Sequence, residues 1–172
     1  MTELVWQSAR EQAQAVLDDS WDQELPVNIE AICKAYGVNI YKRRMPNDLS
    51  GMIVKRAHND TADAFIDMDE PDIRQRFTLA HELGHFIERT KVAHDDEFGF
   101  QEIRSSSLSE DYFPHEFFAD EFAGSLLIPR KKLSELQKQG KAEDEIAKAF
   151  KVSVAALRKR ISSLTTRSED VD

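Results

Sequence analysis

One segment, "RQRFTLAHELGHFIERT" at residues 74–90, constrains the fold more than any other part of the chain. Its apolar residues recur with the spacing of an amphipathic helix, but His81, Glu82 and His85 interrupt the pattern. At about 100° per residue, the apolar side chains fill one continuous arc, and both histidines lie together just outside it, one turn apart. A helix that buries this arc brings two imidazoles to the edge of the core.

The spacing of these three residues is typical of a zinc-binding helix. Two imidazoles at positions i and i+4 bind one zinc ion, and a glutamate beside the first reaches a water that the ion activates. Zinc lowers the pKa of such a water to about 7, so a carboxylate can take its proton at neutral pH. The pattern predicts His81 and His85 as ligands and Glu82 as general base; the alternative is surface histidines that match a short pattern by chance.

A catalytic zinc site needs a third protein ligand and an open fourth position. The metzincin pattern requires glycine at position 88 and histidine at position 91. The chain has Glu88 and Lys91 there, which excludes that class.

The candidate third ligand lies in "HEFFADEFAGSLLIP", residues 115–129. On a helix, Glu116 and Asp120 share a face with small residues, while large apolar side chains cover nearly every other direction. Buried carboxylates need partners, so we predict Glu116 as the third zinc ligand. Asp120 is predicted to accept a hydrogen bond from a ligating histidine, which completes a gluzincin-type E-x-x-x-D arrangement. A solvated acidic face is the alternative.

Four further polar residues near these motifs need an interpretation. His115 adjoins Glu116 but points about 100° away from it on a helix. His115 and Tyr112 are candidates for stabilising an oxyanion, with plain rim positions as the alternative. His94 and Asp95 fall in a loop and are interpreted as solvated.

The remaining pattern predicts an α+β fold with a small, mostly antiparallel sheet. Pro71 is predicted in the first turn of the H-E-x-x-H helix, with Asp69 or Glu70 as its cap. Residues 91–113 are predicted to form a long irregular loop. The predicted helices are 3–19, Asn28 to Gly37, Pro71 to about Arg89, Pro114 to Leu127 and two or three short helices within 131–164; the predicted strands are 38–42, 51–55 and 64–68.

Three parts of the chain are predicted: a core at 1–130, a helical C-terminal segment at 131–164 and a disordered tail at 165–172. The segment contains "EDEIAKAFKVSVAALRKRISSL", which resembles a helix-turn-helix. Residues 141–164 carry six Lys or Arg against three acids, a net of +3, which raises the possibility of DNA binding. The turn is short and the second helix has few base-reading side chains, so packing on the core or gripping a substrate is favoured.

Composition narrows the class of protein. Hydrophobic residues make up 41% of the 172 residues and the formal net charge is −9, which is typical of a globular protein and disfavours indiscriminate binding to nucleic acid or acidic membranes. The N-terminus lacks a signal-peptide pattern, and no apolar stretch has the length of a membrane span. The single cysteine, Cys33, fits a reducing compartment. We therefore expect a cytoplasmic protein without membrane association.

Five segments of the chain carry a resemblance to a known family: "PVNIEAICKAYGVNIY", "LSGMIV", "RQRFTLAHELGHFI", "EFFADEFAGSLLIP" and "AKAFKVSVAALRKRI". Through them the chain resembles the ImmA/IrrE family of metallo-endopeptidases over most of its length. The resemblance implies a zincin-like core that holds one zinc ion by His81, His85 and Glu116, with Glu82 as base.

The family resemblance also implies a substrate. Members typically cut a helix-turn-helix repressor, often encoded nearby, and so switch on genes of mobile elements or stress responses. We expect the substrate to add to an exposed sheet edge, beside residues 64–68. Two alternatives remain: a DNA-binding regulator whose zinc is structural, and an antitoxin-like or scaffold protein whose core does not cut.

Overall fold

The computed structural model describes residues 4–46, 48–93, 100–105 and 114–168, the third of these ranges by its backbone alone. The helices are α1 (Val5–Ser20), α2 (Ile29–Ala35), α3 (Asp72–Ile87), α4 (Pro114–Leu127), α5 (Arg130–Lys138), α6 (Glu143–Phe150) and α7 (Val154–Thr166). The strands are β1 (Val38–Arg43), β2 (Leu49–Lys55), β3 (Ala62–Asp67) and β4 (Phe100–Ser105). The α+β class predicted from the sequence is confirmed. No helix in the described ranges is long and apolar enough to cross a membrane.

The sheet has four strands in the order β1-β3-β2-β4. Strand β2 runs antiparallel to β3 and β4, whereas β1 runs parallel to β3. Two of the three pairings are therefore antiparallel, as predicted. The sheet has four strands, whereas three were predicted. Strand β4 falls inside the predicted loop at 91–113, so that prediction is wrong there. Its sequence, "FQEIRS", has no alternating apolar pattern, and pairing with β2 defines it as a strand.

Strand β3 lies in the interior of the sheet, where β1 and β2 occupy both of its edges. Its side chains alternate between buried and half-buried, as expected for a strand with one face on the core. The prediction that a substrate adds beside residues 64–68 is therefore wrong. The free edges of the described sheet belong to β1 and β4.

Helix α3 packs against β2 and β3 and also against α4, which in turn packs on α1. Because other elements cover α3, every residue from Thr78 to Ile87 is buried. The helical pattern of the sequence predicts that both histidines lie just outside the buried arc. In the structure His81 and His85 are each only 1% exposed, and Glu82 is wholly buried.

The ends of α3 differ in detail from the prediction. Pro71 occupies the N-cap position, and no side chain caps the helix. Glu70 instead accepts a hydrogen bond of 2.7 Å from the Ser50 hydroxyl, and Asp69 pairs with Arg44 on the surface. After Ile87 the chain continues as a π-helical turn, Glu88–Val92.

The C-terminal helices share the hydrophobic core of the rest of the chain. Leu133, Phe150 and Leu157 belong to the same buried cluster as residues of α1, α3 and α4. Helix α7 extends to Thr166, two residues into the predicted tail, and residues 169–172 lie outside the described ranges.

A buried ionic network joins α7 to α1 and α4. The Arg10 guanidinium is 2.8 Å from Glu121 and donates hydrogen bonds to the carbonyl oxygens of Ser163 and Arg167. Arg160 donates to the carbonyl of Ile128. Because an unpaired buried charge is costly, these partners fix how α7 sits on the core.

Gly84 sets the distance between α3 and α4. A Cβ atom added there would lie 3.0 Å from the Ala119 Cα and 3.1 Å from the Phe122 ring. Backbone atoms cannot move aside as the end of a flexible side chain can. The two helices therefore approach this closely because Gly84 has no side chain.

We expect Gly84→Ala to lower the free energy of unfolding by about 1–3 kcal/mol, the usual cost of overpacking a core. Gly124→Ala is the matched control, since a Cβ there meets only the Arg160 Cδ, at 3.9 Å. This control should raise the free energy of unfolding by up to about 1 kcal/mol through helix propensity. Urea unfolding of both variants measures the difference, and shifts of the same sign would contradict the close contact.

Candidate metal centre

Helix α3 brings two imidazoles into contact. His81 and His85 stand one turn apart, and their Nε2 atoms are 3.1 Å from each other. The rings meet edge to face, with centroids 4.7 Å apart. The i and i+4 spacing thus turns the same nitrogen of each ring toward one point.

Helix α4 adds a carboxylate at that point. One oxygen of Glu116 lies 3.1 Å from the His81 Nε2, and the other lies 3.0 Å from the His85 Nε2. The three residues form a group whose ligand atoms all lie within 4.8 Å of one another. Glu116 is 33% exposed, so the cluster opens to solvent on the side of α4 and is enclosed on the side of α3.

Asp120 fixes the orientation of His81. Its Oδ1 is 2.8 Å from the His81 Nδ1, and a carboxylate can only accept, so this nitrogen carries the proton and donates. The Nε2 of a neutral His81 is then left with its lone pair toward the cluster. The Nδ1 of His85 is also buried, with no hydrogen-bond partner among the described residues.

The chemistry of this donor set fits a divalent metal ion. The lone pair of the His81 Nε2 points at an ionised carboxylate and a second imidazole, and groups of this kind repel one another unless a cation lies between them. Two imidazole nitrogens and one carboxylate oxygen are also the protein ligands of one class of catalytic zinc site. His81, His85 and Glu116 could therefore hold a metal ion.

The Glu116 carboxyl is ionised at neutral pH. Burial alone would raise its pKa. Without a metal ion, hydrogen bonds from the protonated forms of His81 and His85, together with their charges, outweigh burial and hold the pKa well below its ordinary value; a bound cation would replace those protons. The site thus supplies one negative charge to whatever cation binds there.

Glu82 follows His81 in the chain, and β2 encloses its side chain. A Cβ atom at Gly51 would lie 2.5 Å from the Thr78 side chain and 3.3 Å from the Glu82 Oε1. Only glycine lets the strand pass this close to the helix. Gly51 is a position near the site that was not predicted from the sequence, although a glycine inside a strand is a recognised sign of close backbone approach.

His115 lies at the rim of the cluster. Its Nδ1 is 2.9 Å from the Glu88 Oε1, and more than half of its side chain is exposed. Burial raises the pKa of Glu88, while the hydrogen bond from His115 opposes the shift. The role of His115 in stabilising an oxyanion stays a prediction. Tyr112, His94 and Asp95 lie outside the described residues.

Lys159 is a neighbour of the centre that the sequence did not reveal. Its ammonium lies 3.8 Å from the second oxygen of Asp120. Helix α7 thereby reaches the side of His81 that faces away from Glu116. No local pattern predicts this contact, because it depends on how two distant segments pack.

Two comparisons with known proteins agree with this geometry. Residues 33–162 match the model of a peptidase family described as the IrrE N-terminal-like domain. The chain is also 29% identical over 128 residues to the metallopeptidase ImmA of Bacillus subtilis (strain 168), which covers 73% of this chain and 69% of that protein. The zincin-like α+β fold expected from the sequence agrees with both. Because the family model covers most of the chain, this protein belongs to the metallopeptidase family of the IrrE N-terminal-like domain.

Proposed function

We propose that this protein is a zinc-dependent endopeptidase that cleaves a helix-turn-helix transcriptional repressor and so derepresses the repressor's genes. The observation that carries the proposal is the cluster itself: His81, His85 and Glu116 converge within 4.8 Å, and Glu82 is buried beside His81. This arrangement combines a three-ligand metal site with a carboxylate for proton transfer.

Zinc is the metal that the donor set favours. Nitrogen and oxygen ligands from two histidines and one glutamate suit zinc, and a site with three protein ligands would leave a fourth position for water or substrate. A zinc ion held there would lower the pKa of a coordinated water and polarise the scissile carbonyl.

The side chains around the cluster divide the remaining work. Glu82 accepts a proton from the attacking water and later donates it to the leaving amine. Asp120 holds His81 in the tautomer that turns Nε2 toward the cluster. Gly51 keeps the backbone of β2 against Glu82, which excludes bulk water from that side of the carboxylate.

We propose that an extended substrate peptide pairs with the free edge of β4 in the described sheet. Strand β2 carries Gly51 beside Glu82, and β4 is the outer neighbour of β2. Strand β1 forms the other free edge but is separated from β2 by β3. A peptide paired with β4 would satisfy its backbone hydrogen bonds there while its carbonyl reaches the metal site.

The repressor is proposed from the family resemblance, whose members typically cut such proteins encoded nearby. A peptidase that cuts a repressor of mobile-element or stress-response genes would act in the cytoplasm. Cys33 is a free, buried thiol, which is compatible with a reducing compartment.

Direct DNA binding by residues 141–164 is less well supported than peptide cleavage. Three of the six cations there pair closely with acidic groups of the chain: Lys151 with Asp72, Arg158 with Glu143 and Arg160 with Glu121. A duplex would have to compete for these cations. The contacts favour a segment that packs on the core.

We expect the purified protein to bind one zinc ion per chain. His85→Ala should weaken zinc binding by more than about 100-fold, since it removes a ligand, and Asp120→Asn should weaken it by about 10- to 100-fold. His115→Ala is the matched control, because His115 pairs with Glu88 and not with the cluster. Competition with a chromophoric chelator measures all three. Equal losses in His85→Ala and His115→Ala would contradict the assigned ligands.

We expect Glu82→Gln to keep its zinc and lose about 100- to 10,000-fold in cleavage rate, the usual contribution of general acid–base catalysis. The substrate is the repressor encoded beside this gene, and its mass is followed over time. Glu30→Gln, a surface glutamate of α2, is the matched control and should cut like the wild type.

The outcomes of this experiment separate the candidate functions. A discrete cut by wild type and Glu30→Gln alone supports the proposed peptidase and identifies the bond. Cleavage by Glu82→Gln at the wild-type rate would remove Glu82 from the role of base. A third outcome would favour a DNA-binding regulator with a structural zinc. In that case the repressor is not cut, and the protein binds duplex DNA in a salt-sensitive way that Glu82→Gln leaves unchanged.

A further inference from the structure

A cleft of about 290 Å³ lies between α4 and α7, with Phe77 of α3 in its wall. Asp120 lines this cleft, whereas none of the three candidate metal ligands does. Because Asp120 contacts the Nδ1 of His81, the cleft lies behind the metal centre, away from the nitrogen that faces Glu116. The cleft is thus separate from the site of the proposed chemistry.

The wall of the cleft combines apolar surface with cations. Phe77, Phe117 and Ala156 provide the apolar part. The Arg167 guanidinium stacks 4.7 Å from the centre of the Phe117 ring, and Lys159 is 73% exposed at its side chain. These two cations border the cleft.

The carboxylates of the wall already have partners. Asp120 accepts from His81, and Glu121 is bound by Arg10 and by the Ser163 hydroxyl. Among the described residues, Lys159 contacts one carboxylate, at the long distance of 3.8 Å from Asp120. An anion that enters the cleft therefore meets cations whose contacts within the described ranges are weak.

We infer that this cleft binds a small amphipathic anion. Its apolar body packs between Phe77, Phe117 and Ala156, and its carboxylate, sulfonate or phosphate group contacts Lys159 and Arg167. The volume lies at the lower end of the range for small-molecule sites, about 300–1,000 Å³, so the ligand is a molecule of one or two rings or a short acyl chain.

The position of the cleft links this ligand to the metal centre. An anion that attracts Lys159 draws its positive charge away from Asp120. Asp120 then accepts more strongly from His81, which makes the His81 Nε2 a better metal ligand. By thermodynamic reciprocity, bound metal strengthens the binding of the anion by the same factor.

The test uses anilinonaphthalene sulfonate, a fluorescent aromatic anion, with uncharged phenylnaphthylamine as its matched control. We expect the zinc-loaded full chain to bind one molecule of the anion saturably and the neutral analogue at least about 10-fold more weakly. Lys159→Met and Arg167→Met should each weaken binding of the anion by about 10-fold, the usual effect of losing one charged hydrogen bond. Lys131→Met, on the exposed surface of α5, should change nothing.

Gly124→Leu tests the volume of the cleft. Gly124 lines the cleft, and a Cβ there meets only the Arg160 Cδ, at 3.9 Å, so a leucine side chain extends into the cavity and should abolish binding of both probes. The thermal unfolding midpoint of each variant shows that it is folded. Equal affinity for both probes, or wild-type affinity in both Lys159→Met and Arg167→Met, would overturn the inferred site.

The zinc affinity, measured with and without the anion, tests the coupling between the cleft and the metal centre. Saturating anilinonaphthalene sulfonate should tighten zinc binding by about 5-fold, at the lower end of measured couplings between sites. Lys159→Met should remove this effect. An unchanged zinc affinity would overturn the link. Neither readout depends on peptide cleavage, so failure of the proposed peptidase and failure of this site are distinguishable.

Discussion

The contact between α3 and α4 at Gly84 is the constraint on which the metal centre depends. The donor atoms of the cluster come from two helices that lie far apart in sequence, and each must stand about 3 Å from the others. Gly84 faces the Ala119 backbone, so the two helices approach closely beside the residues that supply these donors. The same contact lets Asp120 reach the back of His81.

This close packing encloses groups that are costly to bury. His81, Glu82 and His85 are almost fully removed from water, and Glu116 carries a negative charge beside them. A buried charge without a partner costs several kcal/mol, at least about 3 when one member of a pair is lost. A bound cation would offset this cost, so metal binding should contribute to the stability of the folded chain as well as to its chemistry.

How much the sequence could predict depended on the range of the interaction. The histidine pair follows from helix geometry alone, and Glu116 and Asp120 follow from acidic residues on an otherwise apolar helix. Strand β4 could not be predicted, because its residues lack an alternating pattern and only pairing with β2 defines it. The near-complete burial of α3 and the approach of Lys159 to Asp120 also depend on tertiary packing that no local pattern encodes.

The basic character of the C-terminal helices has a structural explanation. Residues 130–168 contain eleven Lys or Arg and four Asp or Glu, in a chain whose net charge is −9. Lys151, Lys159 and Arg160 each contact an acidic residue of α3 or α4. The exposed pairs of Lys151 and Lys159 contribute at most about 1 kcal/mol each, so buried residues such as Phe150 and Leu157 must supply most of the binding energy between the segment and the core. The charges instead select the orientation in which α7 faces Asp120, and that orientation creates the cleft behind the metal centre.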